Sequence, residues 1–178
     1  MTFDRIECVI GEIRGFRWWH VTPRGWLRSP WHGMGRWDVG DNIAECVRPN
    51  RCYQPPPDHH AEGSPDIHCA CGFYALHDVP TGPHGNVYNV WEIAAATSGT
   101  SHGLAFGVAA AHGHMLVGTT GWRAEVARVV ALYAGLEGRS TRRTNAAGRR
   151  YCVPVYRNLH ALAAEWGPES EALVGTAP

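Results

Sequence analysis

The sequence predicts an α+β fold, a small antiparallel, barrel-like β-sheet with a zinc-stapled loop and a C-terminal helix. Three observations carry this expectation. Runs rich in β-branched and aromatic residues, punctuated by Gly and Pro, occupy residues 1–48 and 87–117. Four of the six cysteines, Cys46, Cys52, Cys69 and Cys71, fall within 26 residues around a proline-rich stretch. The tail "NLHALAAEW" sets Leu159, Leu162, Ala163 and Trp166 on one helical face behind Asn158, a favourable N-cap residue.

Taken in order, "CVIGEIRGFRWWHVT" and "WLRSPW" read as short strands separated by the turn "PRG". Five of the eight tryptophans lie here (Trp18, Trp19, Trp26, Trp31, Trp37), where they fill a twisted sheet or form an aromatic platform for a ligand. "NIAECV" (Asn42–Val47) reads as a further strand ending beside Cys46. "RPNRCYQPPPDHH" holds four prolines and excludes helix and central strand. "FYALHDV" fits a short helix closed by Pro80, and "LAFGVAAAHGHMLVG" a buried strand. The stretch "GWRAEVARVVALY" fits both periods, with Trp122, Val126, Val129, Val130 and Tyr133 on a helical stripe. "GLEGRSTRRTNAAGRRYC" reads as a flexible Arg/Gly-rich loop over 136–150. One domain results: a β-rich core over 1–135 that includes a metal-clip loop at 46–71, then the loop 136–150 and a C-terminal appendage over 151–178.

Composition excludes several function classes. Apolar residues make up 44% and charged ones 18%, as in a globular chain, and the sixteen basic residues, all Arg, balance sixteen acidic ones. No overall field therefore recruits nucleic acid or an anionic membrane. No apolar run approaches the roughly 20 residues of a spanning helix. The charged start "MTFDRIECVIGEIRG" lacks the apolar core of a signal peptide, so a cytoplasmic location in the bacterium or infected host is expected. Cysteines in a reducing compartment read as metal ligands or free thiols before disulfides.

"HHAEGSPDIHCAC" tempts a comparison with the zinc deaminases, which use H-x-E and a later P-C-x-x-C. Here the pair is C-x-C, no Pro precedes it, and only six residues separate Glu62 from Cys69. A structural zinc site fits the pattern better. Cys69 and Cys71 form a tight pair, Cys46 supplies a third thiolate from across the proline loop, and His59 or His60 completes a closed tetrahedral set. Cys52 and His68 compete for the same role, and free thiols without metal are the plain alternative. "HGH" at His112–His114 could pair two imidazoles on one strand face, but solvent-exposed hairpin histidines account for it without a third ligand.

Five segments, "GFRWW", "AEC", "CACGFYAL", "GWRAEVARVVALY" and "VPVYRNLHALAAEW", together resemble a family of small actinobacterial and actinobacteriophage proteins. That family combines C-x-C-G-[IF]-Y-A with a later G-[WFY]-R-A-E, and the resemblance covers most of the chain. It implies that Cys46, Cys69, Cys71 and one of His59 and His60 recur as a unit. It also singles out Arg123 and Glu125, for binding or for a structural ion pair, next to Trp122 as a possible binding residue, and it names no activity.

The function expected is a non-enzymatic, zinc-stabilised binding or regulatory module, phage-related, that recognises a protein or nucleic-acid partner. A nucleic-acid partner would meet Arg139, Arg142, Arg143, Arg149 and Arg150 with its phosphates and an aromatic shelf with its bases. A protein partner, such as a host enzyme inhibited by contact, reads the same way in sequence. The alternative from another class is a small zinc-dependent hydrolase or nucleotide-modifying enzyme with Glu62 as general acid/base.

Overall fold

The computed structural model describes residues 3–6, 11–30, 35–44, 64–66, 71–79, 103–134 and 139–167. Their elements are β1 (Phe3–Ile6), β2 (Ile13–Val21), β3 (Leu27–Arg28), β4 (Asn42–Ile43), β5 (Phe73–Leu76), β6 (Gly103–Gly118), β7 (Gly121–Tyr133), α1 (Arg139–Tyr151), β8 (Val155–Tyr156) and α2 (Leu159–Trp166). The expected α+β class is met by an eight-stranded, mostly antiparallel sheet with helices packed on it.

β6 organises the sheet. Its first half pairs with all of β2, from Gly103 opposite Val21 to Ala111 opposite Ile13, and its last residues pair with β1. Its other edge pairs with β7 across the two-residue connection Thr119–Thr120. The far edge of β7 carries β5, β4 and, in parallel, β8. β5 also meets β2 at Phe16 opposite Leu76, so the pairings β6–β2–β5–β7–β6 run in a closed cycle.

Strand alternation sorts the core into two clusters. Trp19 and Val21 of β2 face Ala105, Ala109 and Ala111 of β6, together with Trp37, Met115 and Trp122. The small alanines are the counterpart of the bulky indoles: Trp19 and Trp37 meet edge to face at 5.4 Å between rings. On the opposite face Phe16, Trp18, Phe106, Val108 and Ala110 receive Leu162 of α2. Burial of these tryptophans bears out their reading as core residues; Trp31 lies outside the described residues, and Trp26 is half-buried. The Asn158 cap also forms as expected, its Oδ1 accepting from His160 N at 2.8 Å and Ala161 N at 3.2 Å.

Two local expectations are corrected and two readings are sharpened. "FYALHDV" is no helix: Phe73–Leu76 form β5, held by a full register with Gly121–Ala124. The ambiguous 121–133 segment is β7, and its helical look has a cause. Core-facing positions run Trp122, Ala124, then Ala127, Val129, then Leu132, changing parity near the two register shifts of the β6–β7 pair. The histidines of "HGH" sit in the β6 arm of the β6–β7 hairpin, at the second shift, where Gly113 takes φ +81 and a Cβ would lie 3.0 Å from Glu125 Oε2. The segment expected as a flexible 136–150 loop forms α1, because Thr144, Ala147 and Tyr151 recur at helical spacing and bury, while Arg142, Arg149 and Arg150 stay exposed. "NIAECV" is strand at Asn42–Ile43, and its remainder past Ala44 lies outside the described residues, as does "VYNVWEI".

Candidate functional site

Of the expected zinc ligands, only Cys71 lies among the described residues; Cys46, His59, His60 and Cys69 lie outside them, as does Glu62. Cys71 is buried, and its carbonyl accepts from Arg123 Nη1 at 3.4 Å. Among the described residues no group of three or more His, Cys, Asp or Glu is placed to hold a metal ion. Trp122 is a core residue whose Nε1 donates to Arg14 O at 3.1 Å. Arg123 is buried with its guanidinium 5.6 Å from the Tyr74 ring, and Glu125 Oε2 accepts from His114 N at 3.2 Å. These three residues hold the sheet together at the β6 bulge and at the β5 edge.

The arginines of α1 lead elsewhere. Gly25, at φ +77, turns the chain after β2 so closely against α1 that a Cβ there would lie 2.6 Å from the Ala146 carbonyl carbon. The contact sets Trp26 beside the C-terminal end of the helix, where Arg149 and Arg150 lie in its last turn. Arg150 donates from Nε to Arg24 O at 3.1 Å, and its guanidinium lies over the Trp26 ring, 4.0 Å from the centroid. A second guanidinium, that of Arg36, lies over the same ring at 4.3 Å. Arg36 reaches it because its backbone bridges Arg28 of β3. Arg36 and Arg150 are exposed, as are Arg24, whose carbonyl accepts from Arg150, and Arg28, whose backbone pairs with Arg36, so in a chain of zero net charge four arginines gather around Trp26. Asp38 is the acid in contact with them, bonded to Arg36 Nη2 at 2.7 Å. Arg142 is exposed and Arg143 half-buried two turns up the helix, the latter resting against Gly103 at the start of β6.

The floor of this face is a buried hydroxyl. Tyr151 OH donates to Trp37 O and accepts from Leu27 N at 3.1 Å, tying α1 to β3 and to the segment that carries Arg36 and Asp38. Its ring meets Trp26 edge to face at 6.5 Å. Burial pushes its pKa above the ordinary tyrosine value, against the lowering effect of the Leu27 N–H and of Arg150 and Arg36. Deeper still, Arg17 lies 5.0 Å over the Trp37 ring, donating from Nη1 to Tyr74 O and from Nη2 to Ser29 Oγ at 3.2 Å. It closes the gap where β2 and β5 part beyond Phe16, and burial pulls its pKa down to about 10, leaving it charged at neutral pH.

A second polar cluster lies at the β6 bulge. Arg128 bonds Glu12 and approaches Asp41 at 3.8 Å, and His112 Nε2 lies 3.3 Å from the same Asp41. With Arg14 at 3.7 Å from Glu12, two arginines balance two carboxylates, so these solvated side chains fasten β2, β7 and the approach to β4 without presenting a charge of one sign.

Arg24, Arg36 and Asp38 were not singled out by the sequence pattern, which drew attention to the arginines of 139–150 and to Trp26 only as one of five tryptophans of the sheet or of an aromatic platform. The signal was the pair of turns "PRGW" and "GRWD", each placing an arginine within two residues of a tryptophan. Arg17 carried a signal too, standing on the Trp19 face of β2 by simple alternation. Comparison with protein-family models, with curated proteins and with solved structures finds no match to this chain.

Proposed function

We propose that the protein is a non-enzymatic binding module that takes a phosphodiester chain, a single-stranded nucleic acid, on the face built around Trp26. The observation that carries this reading is the convergence of Arg36 and Arg150 on one indole, at 4.3 and 4.0 Å. Stacking uses the flat face of a guanidinium and leaves its in-plane N–H donors for oxygen acceptors, in the geometry that suits phosphate. Because the ring already carries two cations, the phosphate backbone rather than the base is read, and binding is independent of sequence. The closed cycle of strand pairings supports a barrel-like sheet as the rigid support of the face, and a zinc clip of Cys46, Cys69, Cys71 and His59 or His60 would staple the loop 46–71.

The test is fluorescence anisotropy of a labelled 12-nucleotide single strand at low salt. Wild-type protein binds, Arg36→Ala/Arg150→Ala loses most of that affinity, and Arg157→Ala, at an exposed position after β8, keeps it. Equal binding by all three proteins, or by none, overturns the reading.

A further inference from the structure

Asp38 stands where a ligand's anion would. Its carboxylate meets Arg36 at both Nη2, 2.7 Å, and Nε, 3.0 Å, which are the fork positions a phosphate oxygen would take. Its placement is not left to a loose side chain on a loose loop. The Asp38 amide donates to Asn42 Oδ1 at 2.7 Å, and Asn42 Nδ2 donates back to the carbonyls of Asp38 and Gly40 at 3.2 and 3.0 Å. A backbone clamp anchored beside β4 thus presents the carboxylate to the arginine face. The pair nevertheless sits in water: the side chains of Arg36 and Asp38 are 50% and 61% exposed, so separating them costs little. Tyr151, under the face, feels Asp38 with one sign and Arg36 and Arg150 with the other, which places all three charges around one spot.

Resting on the reading of this face as a phosphate-binding one, we propose that Asp38 is its specificity-determining residue, an internal counter-ion that occupies Arg36 until a phosphate displaces it. A single small anion gains one contact at Arg36 and faces the displaced carboxylate, so it is rejected. A phosphodiester chain that also engages Arg150 gains contacts at neighbouring positions and retains a net advantage. Asp38 therefore selects polyanions over monoanions and lowers affinity in exchange.

The experiment compares wild type, Asp38→Asn and Asp38→Ala in anisotropy titrations with the labelled 12-nucleotide strand, repeated across a salt series. Both variants leave the backbone clamp of Asn42 in place, and melting curves confirm that they fold. Both are expected to bind about five- to tenfold more tightly at low salt. Their plots of log K against log salt are expected to be steeper by about 0.7, because Arg36 then releases a counter-ion that Asp38 no longer replaces. Inorganic phosphate is expected to compete the strand off the variants at lower concentration than off wild type. Salt-dependent binding by wild type with unchanged or weaker binding by both variants overturns the role of Asp38 alone. Absence of binding by wild type overturns the phosphate face and this inference with it, whether or not the variants bind.

Discussion

Tyr151 is the residue on which the arginine face depends most directly. Its hydroxyl serves Leu27 N and Trp37 O together, so Tyr151→Phe leaves two buried backbone groups without that partner. The expected cost is about 1–3 kcal/mol, read as a lower urea midpoint at unchanged m. The same hydroxyl gives a pH signature. Its folded pKa is raised, so its contribution is fully present below the unfolded value near 10.0 and is lost as pH rises through the folded value. Wild type is therefore expected to lose stability above pH 10 more steeply than Tyr151→Phe; parallel loss in both would contradict the burial of that proton. Arg17 works in the opposite sense. Its pKa falls to about 10 from the higher value of a free guanidinium, so its burial penalty is relieved as pH rises above about 10, and only the difference between the two proteins isolates Tyr151. Neither role was legible from residue identity. A tyrosine ending an arginine-rich stretch and an arginine between aromatics look like surface positions until helix and strand periods are imposed.

At the scale of elements, legibility followed the strength of the periodic signal. β2 and β6 were readable because β-branched, aromatic and other apolar residues persist over their length, and α2 because a capped apolar stripe does, with Asn158 supplying the helix start. Asn158→Ala is expected to cost about 1 kcal/mol, measured by chemical denaturation, because two amides of α2 lose their acceptor. β7 was ambiguous because its register shifts alter the parity of its core positions and so imitate a longer period. α1 was missed because its buried stripe is made of Thr144, Ala147, Gly148 and Tyr151, which carry little hydrophobic contrast against the arginines between them. The docking of α1 makes its own prediction. Gly25→Ala places a Cβ against the Ala146 backbone at a φ that alanine disfavours. It is expected to destabilise by more than about 1 kcal/mol and to weaken oligonucleotide binding by moving Trp26 away from Arg150. Loss of stability with full retention of binding would separate the turn from the site.

At the scale of the whole molecule, the balance of sixteen basic against sixteen acidic residues hid the site, because it averages a basic face over a neutral chain. Topology assembles that face from the turn after β2, the segment after β3 and the end of α1, which no single sequence window contains. The proposed zinc clip belongs to the same scale. Purified protein is expected to carry about one zinc per chain by elemental analysis, and Cys71→Ser or a strong chelator is expected to lower the melting temperature. Protein that is free of zinc and indifferent to chelation would remove the clip and leave the arginine face standing. Among the described residues no helix is long and apolar enough to cross a membrane. The most direct test of the central claim is the salt dependence of single-strand binding, measured for wild type and for Arg36→Ala/Arg150→Ala. The account predicts a linear fall of log K with log salt in wild type and a slope shallower by up to about 1.4 in the double variant, as two phosphate contacts are lost. Identical slopes in the two proteins would contradict it.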